Sequence, residues 1–381
     1  MRILRLYLEN WRNFTKVDVA LQYRVFIAGP NASGKSNLLD AVRFLQDVAS
    51  VGGGLQNAVQ KNRNGVSKIR CLAARRYSDL VLEIDIGDEP EQPAWTYRVV
   101  FNQDNRSRAV VKQEIVRYHG QEILRRPDDE DKNDEERLTQ THLEQVNANA
   151  KFRQVAEFLG SVRYLHVVPQ LIRDPERYFQ RGRTSRDPFG SDFLEQVATT
   201  PEKTQRSRLN RIREALTVAV PQLKELDLKR DEVGTPHLEG RFEHWRPKAG
   251  WQREDQFSDG TLRLMGLLWA VLDGSGPLLL EEPELSLHPE VVRFVPQMLW
   301  RAARKRRRQI LLTTHSPELL SDSGIAPDEV LILQPSREGT KVEAASDRDE
   351  VRALLEGGLS IGEAVLPLAA PRHAHQLALF E

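Results

Sequence analysis

The chain has 381 residues, of which 40% are hydrophobic, and 55 basic side chains balance 55 acidic ones. This composition is that of a globular protein and excludes a disordered tail, while the balanced charge excludes a global attraction to nucleic acid or to an anionic membrane surface. Because the single cysteine, Cys71, excludes an internal disulfide and no apolar run reaches the roughly 18 residues of a membrane span, we expect a cytoplasmic protein with no membrane partner.

Residues 1–125 are predicted to form an N-terminal lobe rich in β-structure. "RILRLYLEN" and "YRVFIAG" are predicted strands joined through "WRNFTKVDVAL", and a helix pattern begins at about Lys35. Later runs of alternating hydrophobicity predict an antiparallel β-subdomain. These runs are "DLVLEIDI", "WTYRVVF" and "AVVKQEIVRY".

Residues 126–222 are predicted to form a largely helical insertion. Its first stretch, "RPDDEDKNDEER", is predicted to be a charge-rich loop that marks an insertion or flexible spacer. Helical patterns follow near residues 138–160 and 204–218. The insertion therefore separates the first lobe from a second region of strand patterns.

Residues 223–345 are predicted to form a C-terminal lobe, and residues 346–381 a C-terminal helix and tail. Strand and helix patterns alternate in this lobe after an initial hairpin-like pair, which is typical of a parallel sheet covered by helices. The chain is therefore predicted to have an α/β fold with a mixed or parallel sheet flanked by helices. The patterns are "QLKELDLKR", "HLEGRFEHW", "GPLLLEE", a helix over 287–304, "QILLTTH", "PELLSD" and "EVLILQ".

A phosphate-binding loop is predicted in "GPNASGKSN", which fits Gly-x4-Gly-Lys-Ser between a strand and an amphipathic helix. In such a loop, backbone N–H groups wrap the phosphates, Lys35 neutralises their charge, and the Ser36 hydroxyl is placed to bind Mg²⁺. The alternative is a glycine-rich turn with a coincidental lysine, but the strand–loop–helix context favours a nucleotide site. The predicted ATP-binding residues are Gly29, Pro30, Asn31, Ala32, Ser33, Gly34, Lys35, Ser36 and Asn37.

Two acidic residues end the buried strand pattern in "PLLLEEPELSLHP". Adjacent side chains at a strand end point to opposite sides, so one carboxylate can join the Mg²⁺ shell while the other faces the γ-phosphate. Glu281 is assigned to the metal, and Glu282 to the attacking water, which it would orient or deprotonate. His315 ends the next strand and can there hydrogen-bond the γ-phosphate, although a structural histidine bonded to a carbonyl is the alternative.

Four segments in this order point to a known family. "GPNASGKS", "FSDGT", "LLLEEPELSLHP" and "TTHSP" resemble the ATP-binding-cassette (ABC) ATPases, and within them the branch of RecF, SMC and OLD-like proteins. The resemblance covers residues 1–50 and about 225–335. It implies one ABC-type ATPase head over residues 1–381, ATP and Mg²⁺ as cofactors, and hydrolysis of ATP to ADP and phosphate.

In that family, a Ser-Gly-Gly type signature binds the γ-phosphate of the ATP held by the other subunit of a head-to-tail dimer. The resemblance assigns this role to Ser258, Asp259 and Gly260, which begin an apolar helix pattern. The sequence departs from the wider family at Asp259, where glycine is usual, and at Glu281, where aspartate is usual. Both departures resemble the OLD-like subgroup.

The resemblance also implies a loop glutamine that senses the γ-phosphate, for which Gln113 and Gln170 are both candidates. Arg12 and Asn13 of "NWRNF" resemble a segment that lies near the nucleotide in RecF-like heads. OLD nucleases carry a nuclease domain after the ATPase, but the stretch after His315 is shorter than an independent domain. We therefore expect a stand-alone ATPase head without autonomous nuclease activity.

Two basic clusters are candidates for contact with double-stranded DNA. In "RAARKRRRQ" the cations also suit a helix C-terminus, and "RYFQRGRTSR" mixes arginine with aromatic side chains. The second cluster could equally form a dimer-interface loop. The candidate residues are Arg177, Arg181, Arg183, Arg304, Lys305, Arg306 and Arg307.

The tail contains "QLALF", which resembles the bacterial sliding-clamp-binding pentapeptide Gln-Leu-x-Leu-Phe. An extended tail would place its apolar side chains in a groove of the clamp, whereas a tail packed on its own domain is the alternative. The residues concerned are Gln376, Leu377, Leu379 and Phe380.

These patterns predict an ABC-type ATPase that dimerises on ATP and acts on DNA or a DNA-bound partner, in DNA repair or antiviral (antiphage) defence. The alternative is a regulatory ATPase that holds or releases a separately encoded toxin or nuclease effector without contacting DNA. Stimulation of ATP turnover by DNA that disappears at high salt would favour the first function. Copurification with a small effector would favour the second.

Overall fold

The computed structural model describes residues 1–74, 78–174, 187–246, 249–370 and 376. The chain divides into two compact units. The first comprises Met1–Tyr164, Ser275–Leu279 and Ala303–Glu381, and the second comprises Leu165–Gly274 and Leu280–Ala302. Over the described ranges, no helix has the length and apolar character that crossing a bilayer requires.

The described strands and helices are numbered in chain order. The strands are β1 (Arg2–Trp11), β2 (Phe14–Ala20), β3 (Arg24–Ala28), β4 (Leu80–Gly87), β5 (Trp95–Gln103), β6 (Ala109–Tyr118), β7 (Gln121–Arg126), β8 (Arg163–Leu165), β9 (Leu223–Arg230), β10 (Pro236–Phe242), β11 (Trp251–Arg253), β12 (Leu278–Glu281), β13 (Ile310–Thr314), β14 (Val330–Ser336) and β15 (Gly339–Ala344). The α-helices are α1 (Lys35–Ala49), α2 (Val66–Ile69), α3 (Asp129–Asn133), α4 (Arg153–Gly160), α5 (Pro169–Arg173), α6 (Phe193–Thr199), α7 (Glu202–Ala219), α8 (Asp259–Leu272), α9 (Pro289–Val292), α10 (Val295–Arg304), α11 (Asp349–Glu356) and α12 (Ile361–Val365).

The first unit contains an antiparallel sheet of six strands in the order β2-β1-β4-β5-β6-β7. Leu6 of β1 pairs with Val19 on one side and Ile84 on the other, and all three side chains are buried. The predicted connection after β1 contains strand β2, in which the buried Val17 and Val19 alternate with the exposed Asp18 and Ala20. The predicted antiparallel β-subdomain is therefore present, and its sheet contains two strands, β2 and β7, that the pattern did not indicate.

A second sheet is mixed, in the order β15-β14-β3-β13-β12-β8. Strand β13 runs parallel to β3 with Thr314 opposite Ala28, and β14 runs parallel to β3 on its other side. The edge strand β15 is antiparallel to β14. Because β3 and β13 run in the same direction, the residues that follow Ala28 and Thr314 emerge at the same edge of the sheet.

Helix α1 begins at Lys35, as its pattern predicts, and buries one face in the core of the first unit. Phe44 stacks on Phe101 of β5 with ring centroids 5.3 Å apart and meets Trp11 edge-on at 5.2 Å. These aromatic contacts add to the burial of apolar area that stabilises the helix. The core therefore fixes the helix that follows the predicted phosphate loop.

The charge-rich stretch predicted as a flexible spacer is instead built into the first unit. Arg126 is fully buried and pairs with Glu114 at 3.0 Å and with Asp131 at 2.8 Å, and both carboxylates are fully buried as well. Asp131 also closes a capping box with Asp128 at the start of α3. That prediction was wrong because composition cannot show that a distant strand supplies Glu114.

The second unit contains the predicted hairpin, β9 and β10, which β11 extends to a three-stranded sheet. Helix α8 is buried almost all round. The single helix predicted over 287–304 is divided into α9 and α10 by Arg293 and Phe294, both exposed. Residues 126–222 hold α3 to α7, and the lobe boundaries drawn from the sequence remain predictions.

Candidate nucleotide site and signature segment

The loop between β3 and α1 has backbone angles that few residues adopt. Ala32 and Gly34 have φ angles of 62° and 96°. A Cβ atom on Gly34 would lie 2.2 Å from Nδ2 of Asn13, and one on Gly29 would lie 2.6 Å from Oγ of Ser33. Glycine is therefore required at both glycine positions of the pattern, and the bare backbone can approach a phosphate closely.

Asn13 ties this loop to the neighbouring strands. Its Nδ2 donates to the carbonyl of Ser33 and to Oγ1 of Thr340, each at 2.7 Å, and its Oδ1 accepts from Nδ2 of Asn37 at 2.8 Å. Asn13, which the family resemblance placed near the nucleotide, therefore holds the loop in shape. Thr340 lies on β15, and no local pattern in the sequence indicated its contribution.

Arg12 lies on the flank of α1, where it pairs with Asp40 at 3.1 Å. The buried Arg63 pairs with the same carboxylate at 2.7 Å and with Asp47 at 2.7 Å. Burial raises the pKa of Asp40, but the two guanidinium groups outweigh it and hold the pKa below its ordinary value. Arg12 therefore supports the helix that carries the loop.

Lys35 and His315 meet at the edge of the mixed sheet. Nζ of Lys35 donates to the carbonyls of Gly29 at 3.1 Å and Pro30 at 3.2 Å, and lies 2.5 Å from Nε2 of His315. An ammonium group can only donate, so Nε2 accepts and the neutral ring carries its proton on Nδ1. In the sequence the two residues are far apart, since Lys35 follows the loop after β3 and His315 follows β13. The parallel pairing of β3 with β13 brings them together.

The loop fits a nucleotide phosphate. Ser33 is fully buried, and its Oγ has no hydrogen-bond partner within the described residues. A phosphate anion is bound by groups of the kind found here. They are the buried hydroxyl of Ser33, the loop backbone at the two glycines, and the lysine at the N-terminus of α1. The hydroxyl of Ser36 and the carboxylate of Glu281 are oxygen ligands of the kind that Mg²⁺ prefers, and their joint role as ligands remains a prediction.

In the second unit, the acidic strand end has a strained backbone. Glu282 has a φ angle of 43° and Ser286 one of 62°, which non-glycine residues seldom adopt. The carbonyl of Glu282 accepts from the N–H of Leu285 at 3.2 Å, and the carbonyl of Glu281 lies 3.2 Å from Nδ1 of His166. Strain of this kind clusters at functional sites, which supports the assignment of Glu282 without testing it.

The signature segment, residues 258–260, begins helix α8. Ser258 is the N-cap, and its Oγ accepts from the N–H of Thr261 at 3.2 Å and contacts Oγ1 of Thr261 at 2.8 Å. A Cβ atom on Gly260 would lie 2.6 Å from the carbonyl oxygen of Ser286. The signature turn therefore abuts the loop that follows the acidic strand, and glycine is required at this point.

Asp259 is held by the short helix α5. Nη2 of Arg173 lies 2.5 Å from Oδ1 of Asp259 and donates to the carbonyl of Phe257 at 2.6 Å. Nε2 of Gln170 donates to Oδ2 of Asp259 at 3.2 Å. Arg173 was not predicted from the sequence, because only the fold brings α5 beside α8.

The two candidate sensor glutamines lie in different settings. Gln170 contacts the signature carboxylate as described above. Gln113 lies within β6, opposite Val100 of β5 in the antiparallel sheet. The choice between them for the γ-phosphate remains a prediction.

Arg263 is a buried cation one turn into α8. Its side chain is 7% exposed, and its Nε and Nη1 have no hydrogen-bond partner in the described part of the chain. Burial lowers the pKa of Arg263, whereas the charges of Asp259, Glu284 and Glu282 act in the opposite direction. An incompletely bonded guanidinium costs folding free energy, so Arg263 is a candidate functional residue beside the signature.

The remaining predicted contact residues are partly described. Arg304 ends α10 and residues 305–307 form a turn directly after it, so the exposed basic turn at residues 304–307 includes the last residue of the helix. The neighbouring Arg308 is buried and donates to the carbonyl of Gly276 at 2.7 Å. Gln376 is exposed. Six candidates lie outside the described residues: Arg177, Arg181, Arg183, Leu377, Leu379 and Phe380.

Three features together define an ATPase of the ABC type. They are a phosphate loop on a mixed sheet, a histidine beside the lysine of that loop, and a capped helix that begins with Ser-Asp-Gly. The chain belongs to the family described as "AAA domain, putative AbiEii toxin, Type IV TA system", which matches residues 24–321. The similarity to RecF and SMC proteins that the sequence predicts is present as well.

A relative and two solved structures are similar to the chain. The DNA replication and repair protein RecF of Synechocystis sp. is 33% identical over 87 residues, which span 23% of either protein. An SMC head bound to the C-winged helix domain of ScpA aligns with 90% of this chain and 98% of its own at 12% identity, with a TM-score of 0.55. An SMC head from Thermotoga maritima aligns with 90% of this chain and 99% of its own at 13% identity, with a TM-score of 0.46. The first structure confirms the predicted ABC-head fold.

Proposed function

We propose that the protein binds and hydrolyses ATP and forms a head-to-tail dimer when ATP is bound. The observation that carries this proposal is the contact between Lys35 and His315 at a loop in which Gly29 and Gly34 leave no room for a side chain. A cation, a hydrogen-bonding ring and backbone N–H groups lie together there, which supports a phosphate site. Family membership supports ATP as the nucleotide.

The residues of the chain divide the chemistry between them. Lys35 would exchange the carbonyls of Gly29 and Pro30 for phosphate oxygens, and His315 would then donate a hydrogen bond to the γ-phosphate. Glu282 would orient or deprotonate the attacking water. Mg²⁺, held by Ser36 and Glu281, would supply positive charge that stabilises the transferring phosphate.

The dimer would place Ser258 and Gly260 of one subunit against the ATP of the other. The N-terminus of α8 carries the partial positive charge of the helix dipole, and its apolar body anchors the turn in the second unit. ATP would then favour the closed dimer because these contacts exist only there, and hydrolysis would reopen it. Direct measurement of mass with ATP and Mg²⁺ tests this step.

We propose that the ATPase acts in the cytoplasm on DNA or on a DNA-bound partner, in repair or antiphage defence. The exposed basic turn at residues 304–307 supports DNA contact, and the similarity to a protein named for DNA replication and repair agrees with it. The tail motif from Gln376 to Phe380 is a proposed contact with a sliding clamp. A regulatory ATPase that holds a toxin or nuclease effector is the second candidate, favoured by the toxin–antitoxin wording of the family description.

The test is steady-state ATP turnover with and without linear duplex DNA, with Glu282→Gln as the blank. Stimulation by DNA that disappears at high salt supports a DNA ligand, because phosphate contacts release counterions. Alanine at the four residues of the exposed turn, Arg304, Lys305, Arg306 and Arg307, should remove that stimulation. Alanine at four exposed basic residues elsewhere, Lys61, Lys68, Arg70 and Lys203, is the matched control and should not.

Turnover that is indifferent to DNA would contradict the DNA function and favour the effector-holding ATPase. Absence of turnover above the Glu282→Gln blank, with and without DNA, would contradict ATP hydrolysis itself. Light scattering of Glu282→Gln with ATP and Mg²⁺ tests the ATP-dependent dimer independently of turnover and of DNA. A monomer under those conditions would contradict the ATP-dependent dimer.

A further inference from the structure

The signature segment contains a negative charge at the place where a negatively charged phosphate is proposed to bind. Asp259 puts a carboxylate between Ser258 and Gly260, the residues proposed to meet the partner's γ-phosphate. A carboxylate is favourable at a helix N-terminus by itself, but it repels a second anion brought to the same turn. Asp259 is partly exposed, at 39% of its side chain, so solvent alone does not screen it fully. A cation beside the carboxylate would offset this repulsion.

We propose that Arg173 is a positioning residue that neutralises Asp259 and turns its carboxylate away from the phosphate site of the signature. This inference rests on the proposed function and names a residue that the signature needs in order to work. Arg173 lies 2.5 Å from Oδ1 of Asp259, and the same Nη2 donates to the carbonyl of Phe257 at 2.6 Å. The guanidinium is thus fixed to the backbone of the signature turn as well as to the carboxylate.

Both oxygens of the carboxylate are engaged by α5. Oδ1 meets Arg173, and Oδ2 accepts from Nε2 of Gln170 at 3.2 Å. A carboxylate held at both oxygens keeps one orientation, and its charge is shared with a cation inside the same turn. Ser258 and the backbone of Gly260 then remain as the donors that an incoming phosphate would meet.

A second cation supports an anionic ligand at this place. Arg263 is buried, with its Nε and Nη1 unbonded among the described residues, one turn beyond Asp259 on the same helix. Arg173 and Arg263 both lie close to Asp259, and the charges of Glu282 and Glu284 also act on Arg263. The two guanidinium groups therefore offset the charge of Asp259 at the start of α8.

The test is a double-mutant cycle between Arg173 and Asp259 in the Glu282→Gln protein. The ATP concentration that gives half-maximal dimer is measured by light scattering with Mg²⁺. Arg173→Ala should raise it by about tenfold or more, because the uncovered carboxylate opposes the phosphate. In the background of Asp259→Asn, the same substitution should change it by less than about threefold, since no charge is left to neutralise. Arg206→Ala, which breaks an exposed ion pair with Glu202 on α7, is the matched control and should have no effect.

Three results would overturn the inference. If Arg173→Ala leaves the half-maximal ATP concentration unchanged, the ion pair plays no part in the signature. If its effect is equally large with and without Asp259, Arg173 acts through the carbonyl of Phe257 or on the phosphate itself, and it does not neutralise Asp259. If Glu282→Gln alone stays monomeric with ATP, the proposed dimer fails first, and the inference fails with it. Thermal melting checks the fold of every variant, and Arg173→Gln replaces Arg173→Ala if the alanine variant does not fold.

Discussion

Nζ of Lys35 lies 2.5 Å from Nε2 of His315, so the two side chains proposed to meet the nucleotide phosphates are in contact with each other. The contact follows from the parallel pairing of β3 and β13, which places Thr314 opposite Ala28. In this arrangement the imidazole accepts a hydrogen bond. To donate to a phosphate it must release Lys35 and present an N–H at Nε2.

His315→Ala should therefore separate binding from turnover. Lys35 keeps its charge in this variant, so we expect ATP affinity within about threefold of the unchanged protein, while turnover falls by about a hundredfold. Fluorescent ATP-analogue titration and steady-state phosphate release measure the two quantities. His119→Ala, at an exposed histidine, is the control. Equal losses of affinity and turnover would contradict the role given to His315.

Asn13→Ala should weaken ATP binding without contact between Asn13 and the nucleotide. The substitution removes two donated bonds and one accepted bond that fix the loop, and it opens space beside Gly34. We expect the Kd for ATP to rise by about tenfold, because each lost bond is worth about 1 kcal/mol and part of the loss is recovered by water. Titration of Asn105→Ala, an exposed asparagine, is the comparison. An unchanged Kd would show that the loop keeps its shape unaided.

Arg263→Met should lower activity without lowering stability. Arg263 is a buried, incompletely bonded cation, so an apolar side chain of similar length should leave the free energy of unfolding unchanged or raise it by about 1 kcal/mol. ATP turnover should fall because the signature loses positive charge. Arg208→Met is the contrast: Arg208 pairs with Asp273 at 2.9 Å and lies over the Trp269 ring, so its loss should destabilise the fold. Thermal unfolding and phosphate release decide the matter, and equal destabilisation of both variants would contradict the prediction.

Glu144 should make stability fall as the pH rises. Burial raises the pKa of Glu144 to about 7, although the N–H of Leu55 that it accepts acts in the opposite direction. The folded state therefore holds a proton that the unfolded state releases near the ordinary glutamate pKa of 4.5. This contribution is full below that value and is lost as the pH passes through about 7, which amounts to about 1 kcal/mol between about pH 6 and 8.

Glu144→Gln keeps an acceptor for Leu55 and removes the titration, so its free energy of unfolding should fall less over that range. Urea unfolding at several pH values measures the difference. Glu157→Gln, at an exposed position on α4, is the control and should follow the unchanged protein. Identical pH dependence of all three proteins would exclude Glu144 as the titrating group.

Local patterns predicted the segments whose geometry depends on nearby residues. The loop before Lys35 and the Ser258 cap of α8 are examples, because each is set by residues adjacent in the chain. Contacts between distant segments could not be predicted in this way. Arg173 reaches Asp259, and Thr340 reaches Asn13, only because the fold joins α5 to α8 and β15 to the phosphate loop.

Charge patterning misled the prediction where burial overrides composition. A stretch dense in Asp, Glu and Arg is typical of an exposed spacer, yet Arg126 is fully buried with two carboxylates. Pairing offsets part of the cost of burying such charges, and only the structure shows that Glu114 is available for it. Strand β2 was also missed, because its alternating run is short and lies within a predicted connection.

The close approach of Gly260 to the carbonyl of Ser286 bears on when the two ATP molecules of a dimer would be hydrolysed. The space between the two backbones is too small for a side chain, so a movement of one turn toward the other would soon displace it. In a head-to-tail dimer, one of these turns would face the partner's nucleotide while the other follows the chain's own acidic strand end. A change at one nucleotide would then be transmitted mechanically to the second, and the two hydrolysis events would not occur independently.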